Sequence, residues 1–124
     1  MTTGIILFAH GSRSPNWAEP FERIQQRVAA QRPGARVSLA YLELMSPNLH
    51  DAIDALVAQA VDLISIVPLF LAAGGHLKSD LPRLVDEAVE RHPRLRVRVL
   101  PPIGESEAML QAIADWAAAA AFET

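Results

Sequence analysis

The sequence predicts a single α/β domain built on a four-stranded parallel sheet with helices on both faces, and three observations carry that prediction. Residues 4–9 and 63–67 are short apolar runs without alternation, the pattern of strands buried on both faces. Amphipathic helical patterns follow the predicted strands, so strand and helix alternate along the chain, as in parallel sheets joined by right-handed crossovers. The 124 residues, 51% hydrophobic and 20% charged, hold roughly four βα units of about 30 residues each around one core. Residues 1–124 are therefore read as one domain, too short for two facing domains around a large ligand.

Each element has its own signals. After the first strand, residues 11–16 form a loop in which Asn16 can cap a helix with the stripe Trp17, Phe21, Ile24 and Val28, ended by Pro33-Gly34. Residues 36–43 read as the second strand. Ser46-Pro47 then offers a cap and a first-turn proline for a helix bearing Leu49, Ile53, Leu56, Val57 and Ala60. Pro68 closes the third strand, and residues 69–76 form a long apolar loop ending in Gly74-Gly75-His76, unusual unless it serves a function. Ser79 or Asp80 caps a third helix with Pro82 in its first turn and Leu81, Leu84, Val85, Ala88 and Val89 inward. Residues 94–100 alternate Arg94, Arg96, Arg98 with Leu95, Val97, Val99, which fits a charge-protected edge strand better than a nucleic-acid patch. The last helix carries Met109, Leu110, Ile113, Trp116 and Ala117.

Composition narrows the chemistry. A net charge of -3 argues against nucleic acid and anionic membranes as partners. With no cysteine there is no disulfide, no thiolate nucleophile and no cysteine-ligated metal, so any metal sits on nitrogen and oxygen. The N-terminal apolar run is shorter than a signal or membrane segment and has no basic leader, which makes the cytoplasm the expected location.

His10 stands at the end of the first strand, Glu43 at the end of the second and His76 in the loop after the third, so all three are expected on the carboxyl rim of the sheet, where such folds bind ligands. Two imidazoles and a carboxylate suit Co²⁺, Fe²⁺, Ni²⁺ or Zn²⁺ better than Mg²⁺ or Ca²⁺. A histidine in that position also serves simply as a partner for a loop carbonyl, and Glu43 as a partner for Arg13. Gly11, Gly74 and Gly75 beside the histidines permit sharp bends or close approach of a bulky ligand. Ser12 and Ser14 lie outside any Gly-x-Ser-x-Gly elbow and read as caps or hydrogen-bond donors to a ligand. Arg13 and Lys78 are placed to meet substrate carboxylates, Arg83 reads as solvated, and His50 and His92 read as surface residues.

His10-Gly11-Ser12-Arg13 after a buried strand, Ala40-Tyr41-Leu42-Glu43 with Pro47 beyond, and Pro68-Leu69-Phe70-Leu71 through Gly75-His76 with Asp80-Leu81-Pro82 resemble the small sirohydrochlorin chelatases, the short class II or CbiX family. The resemblance spans almost the whole chain. It implies a lyase that inserts a divalent metal, Co²⁺ first and Fe²⁺ or Ni²⁺ otherwise, into sirohydrochlorin without a nucleotide, in cobalamin or sirohaem biosynthesis. It further implies that His10 and His76 hold the ion, that Glu43 coordinates it or takes up pyrrole protons, and that Ser12 and Arg13 line the tetrapyrrole cleft; Gly74, Gly75 and Lys78, from their places near the same rim, are expected to bind substrate with them. Short members pair as homodimers, which would enclose a broad, flat macrocycle. The other readings are a non-catalytic metal or tetrapyrrole carrier, and an anion-binding regulatory module that cradles phosphate on His10-Gly11-Ser12-Arg13.

Overall fold

The computed structural model describes residues 2–72 and 74–123, and at position 76 the backbone only. Its elements are β1 (Thr3–Ala9), α1 (Glu19–Gln31), β2 (Arg36–Tyr41), α2 (Leu49–Ala58), β3 (Leu63–Pro68), α3 (Gly75–Arg91), β4 (Arg96–Val99), a 3₁₀ turn (Ile103–Glu105) and α4 (Glu107–Ala120). The strands form one parallel sheet in the order β2-β1-β3-β4, with Ala9 opposite Tyr41 and Phe8 opposite Pro68. The chain winds outward from β1 to β2 and then jumps back across β1 to β3. The loops after β1 and β3 therefore diverge at the carboxyl rim, the crevice where open α/β sheets bind ligands.

Alternation in β3 and near-complete burial along the second half of β1 build the core. Ile6 and Phe8 of β1 and Ile64 and Ile66 of β3 are fully buried and meet Ile53 and Leu56 of α2 and Leu81 and Ala88 of α3. On the opposite face α1 covers β1 and β2 with no buried residue of its own, and Gln25 of α1 donates to the Val37 carbonyl at 2.9 Å. The strand at the charged edge is β4, as its arginine alternation predicts.

Three helix starts differ from the sequence reading, and the fourth gains a cap that the reading did not name. Asn16 does not cap α1: it sits in the left-handed region at φ 65, its carbonyl accepts the Glu19 N–H, and Trp17 stays outside the helix to stack on Phe21 and Tyr41. The cap of α2 is Asn48, whose side chain accepts the Asp51 N–H at 2.9 Å, because the Pro47 carbonyl is held by the Tyr41 N–H and the helix cannot begin before it. α3 begins at Gly75 with Gly74 as its cap, which puts His76 in the first helical turn and Pro82 in the interior. Proline there leaves one carbonyl without its helical donor, but Leu77 and Leu81, one turn apart, are both buried in the core and hold the extra turn in place. The last helix is preceded by the 3₁₀ turn and capped by Ser106, whose hydroxyl accepts the Met109 N–H.

Rather than isolated surface residues, His50 and His92 belong to a polar seam between α2 and α3. The carboxylate of Asp54 accepts from Arg91 at 2.8 Å and from His92 at 2.7 Å, while Arg91 also donates to His50 Nδ1. His50 then carries its proton on Nε2 and donates it to Glu87, which also accepts from Arg83. The His92 and Arg91 hydrogen bonds hold the Asp54 carboxyl below its ordinary value of 3.8. A depressed carboxyl contributes stability above its unfolded-state value and loses it as pH falls through the folded one. Asp54→Asn is therefore expected to cost about 1 kcal/mol or less at neutral pH, in keeping with half-exposed pairs, and the gap to the unaltered protein should close in denaturant melts below pH about 3.8.

Candidate functional site

The site forms because the β1 ladder continues past the ends of its strands. Beyond the paired residues Ala9 and Tyr41, the Leu42 N–H donates to the Ala9 carbonyl at 2.9 Å and the Glu43 N–H to the His10 carbonyl at 3.1 Å. Gly11 follows with φ +99, and its bare Cα lies so close to the Glu43 carbonyl oxygen that any Cβ would collide with it. Only glycine meets both demands, a left-handed backbone and direct main-chain contact. The two loops are thereby pressed together, and the side chain of Glu43 meets that of the residue before Gly11: His10 Nε2 and Glu43 Oε1 are 2.9 Å apart, each about half exposed.

A third loop completes the rim. On the other side of β1 the Leu69 N–H donates to the Phe8 carbonyl at 2.8 Å, and Phe70 turns inward, edge to face with Phe8 at 5.8 Å. The His10 ring leans on the same phenyl, centroids 6.2 Å apart and planes at 64°. His10 is thus fixed by Glu43 at Nε2 and by an apolar platform at its ring, while its exposed side faces solvent. Beside Glu43, Leu44 adopts φ 65 with its side chain exposed, and the Met45 N–H closes the turn onto the Glu43 carbonyl. A large aliphatic residue in the left-handed region carries roughly 1–3 kcal/mol of strain, the kind of cost that concentrates at functional sites.

Of the residues singled out in the sequence, His10 and Glu43 are brought into contact, and Glu43 pairs with His10. The backbone of His76 occupies the second residue of α3 on the same rim; its side chain lies outside the described residues, as does Ala73 of the preceding loop. The Ser12 hydroxyl accepts the Ser14 N–H at 3.0 Å and shapes the first loop, where Arg13 is exposed. Gly74 caps α3 without a side-chain hydrogen bond, so the first-turn N–H groups of Gly75 and its neighbours face the rim with the positive end of the helix dipole. Lys78 is exposed beside a groove of about 390 Å³ lined by Pro68, Leu77, Leu81 and Val99. Phe70 and Leu44 were missed: the only sequence signal for Phe70 is its place in an apolar loop, and none marks Leu44.

Chemically, an imidazole hydrogen-bonded to a carboxylate can hold a proton, pass one on, or offer nitrogen and oxygen to a borderline cation. This is a doubly wound α/β protein with an imidazole–carboxylate pair on its carboxyl rim, the imidazole at the end of the strand that borders the topological switch point. The chain belongs to the CbiX family, whose model matches residues 4–120. It is 30% identical over 110 residues to the sirohydrochlorin cobaltochelatase of Saccharolobus solfataricus, covering 84% of each chain. Over 120 residues it is 29% identical to the sirohydrochlorin ferrochelatase of Bacillus subtilis, covering 91% of this chain but only 43% of the relative's length. The crystal structure of a CbiX protein from Marinobacter aquaeolei VT8 superposes with a TM-score of 0.82 at 33% identity, covering 95% of this chain and 96% of that one.

The Gly11 contact gives a direct test. Gly11→Ala should force Glu43 away from His10 and place alanine in the left-handed region, at a backbone cost of about 1–2 kcal/mol before the collision is counted. The expected outcome is a folded but destabilised protein in which the His10 ring, at fixed pH, gives the NMR chemical shifts it gives in Glu43→Ala. A His10 signal unchanged from that of the parent chain would show that the contact does not position the pair.

Proposed function

We propose that this protein inserts a divalent metal ion into sirohydrochlorin, releasing two protons, as a sirohydrochlorin chelatase. The observation that carries the reading is the His10–Glu43 pair held on the carboxyl rim by the Gly11 contact. Relatives that share the fold are named for this reaction with cobalt and with iron. In this reading the metal is substrate. His10 and His76 present the ion, because neutral imidazole binds borderline cations yet releases them. Glu43, within hydrogen-bond reach of His10, accepts the protons displaced from the pyrrole nitrogens, and the half-exposed pair lets them leave to solvent.

Ser12, Arg13, Gly74, Gly75 and Lys78 line the tetrapyrrole cleft. Arg13 and Lys78 meet the macrocycle's carboxylates as cations, and the open N–H groups at the start of α3 meet them as hydrogen-bond donors. Co²⁺ is the metal favoured here, with Fe²⁺ or Ni²⁺ as alternatives; cobalt would place the protein in cobalamin synthesis and iron in sirohaem synthesis. The working unit is a cytoplasmic homodimer of single-domain chains. It is supported by the fit of this chain to less than half of the Bacillus relative and to most of the Saccharolobus one, so that two copies would match the longer protein in length.

The test is insertion of Co²⁺, Fe²⁺ and Ni²⁺ into sirohydrochlorin, followed by the visible absorption change. His10→Ala and His76→Ala should each abolish insertion while leaving the melting temperature within a few degrees of the parent. Glu43→Gln should slow insertion on the order of 10²–10⁴-fold, the range of general-base catalysis, with a smaller effect on metal affinity. Stoichiometric Co²⁺ binding without turnover in the parent would make it a carrier instead.

A further inference from the structure

Two neighbours hold the His10 ring, Glu43 at Nε2 and the phenyl of Phe70, and a glycine stands behind each of them. Of the six glycines, only Gly11 and Gly104 lie directly against the main chain of another segment. A Cβ on Gly11 would collide with the Glu43 carbonyl, and one on Gly104 with the Leu71 carbonyl. At Gly34, Gly74 and Gly75 it would meet open space, and at Gly4 side chains alone. Gly104 is tied further by its N–H, which donates to the Phe70 carbonyl at 3.1 Å. Gly11 brings Glu43 to the histidine, and Gly104 is the matching contact on the other flank.

Gly104 arrives there with little freedom. The Leu100 N–H donates to the Ile66 carbonyl at 2.9 Å, which carries the β3–β4 pairing one residue past Val99. Pro101 and Pro102 follow, their φ locked by the rings, with Pro102 at φ -54. The 3₁₀ turn then closes on itself as the Glu105 N–H donates to the Pro102 carbonyl and the Ser106 N–H to that of Ile103. The loop after β3 is thus held at three consecutive residues: Leu69 by the Phe8 carbonyl of β1, and Phe70 and Leu71 by Gly104. With the main chain fixed from both sides, the buried Phe70 ring sits 5.8 Å from that of Phe8 and 6.2 Å from that of His10.

We infer that Gly104 is a positioning residue for the His10 imidazole and acts through Phe70. The hydrogen bond to Glu43 fixes one atom of the imidazole and leaves its plane free to swing about that bond; the phenyl sets the tilt. Edge-to-face pairs depend on ring separation and angle, so a loop pushed off the 3₁₀ turn carries the phenyl out of the contact. The consequence for metal rests on the chelatase reading: an imidazole preset in position and tilt loses less freedom when it takes up a cation. A residue without a side chain thereby sets the tilt of a ligand group carried by a different loop.

The experiment reads the His10 ring protons of the full chain by NMR at one fixed pH, assigned against His10→Ala, with Co²⁺ affinity by calorimetry beside it. Gly104→Ala should stay folded by far-UV circular dichroism and move those protons to the shifts they take in Phe70→Leu. It should weaken Co²⁺ binding about 2- to 12-fold, the worth of one aromatic pair. Added to Phe70→Leu, Gly104→Ala should change neither signal further, because the glycine acts through the phenyl. Ile53→Val, a core change under α2, should lower the melting temperature and leave the His10 ring signals in place. Should Gly104→Ala not fold, Pro102→Gly, which loosens the turn without a collision, should give the same shift at smaller amplitude. Ring signals that stay at the parent's values in the folded turn variant, that move equally in Ile53→Val, or that move again on top of Phe70→Leu overturn the inference. A parent that binds no Co²⁺ sinks the chelatase reading alone, since the ring signals test Gly104 without metal.

Discussion

The structure depends on the main-chain ladder of β1, which continues past the strand ends on both sides. On one side it carries the loop after β2 as far as Glu43; on the other it carries the loop after β3 to Leu69, next to Phe70. Hydrogen bonds between backbone groups set positions to a fraction of an ångström, and side-chain rotamers do the rest. The imidazole of His10 is trapped between two neighbours that are far apart in sequence because the strand before it is hydrogen-bonded to both. The chemistry at the rim is thus an outcome of sheet order: with β1 in the middle, its terminal histidine is the residue that both flanking loops can reach.

β1 was legible in the sequence because burial on both faces writes a continuous apolar run, as in residues 4–9. Residues 63–67 read the same way, but in β3 only Ile64 and Ile66 of that run are buried, while Leu63, Ser65 and Val67 stay partly exposed. His10 and Glu43 were legible from their places, one residue past β1 and two past β2. Helix starts were less so. Competing local groups decide them, and the winner depends on contacts across the chain: the Pro47 carbonyl is held by Tyr41, which delays α2, and the burial of Leu77 and Leu81 extends α3 backward through Pro82. That is why His76 falls on a helix instead of in a loop. Phe70 was legible only as part of an apolar loop, because its role comes from its distance to two rings and not from its type.

Electrostatics and packing divide the helices between different tasks. The pair α2 and α3 is welded twice, by the core beneath and by the His50, Asp54, Glu87, Arg91 and His92 seam above. This seam ties α3 to α2, which matters because the first turn of α3 contributes to the rim. Among the described residues the α1 side shows no such seam and no buried residue of α1.

That asymmetry has a consequence for how the molecule opens. Local unfolding follows buried contact, so free energies of opening should be graded across the sheet. Amides of β1, β3, α2 and α3 would exchange with solvent only through global unfolding, whereas α1, with no buried residue, could detach while the core stays shut. The rim residues His10 and Glu43 hang from the slow layer, but Trp17, which leans on Tyr41 at the end of β2, belongs to the fast one. The rim is therefore bordered by one stiff edge and one yielding edge.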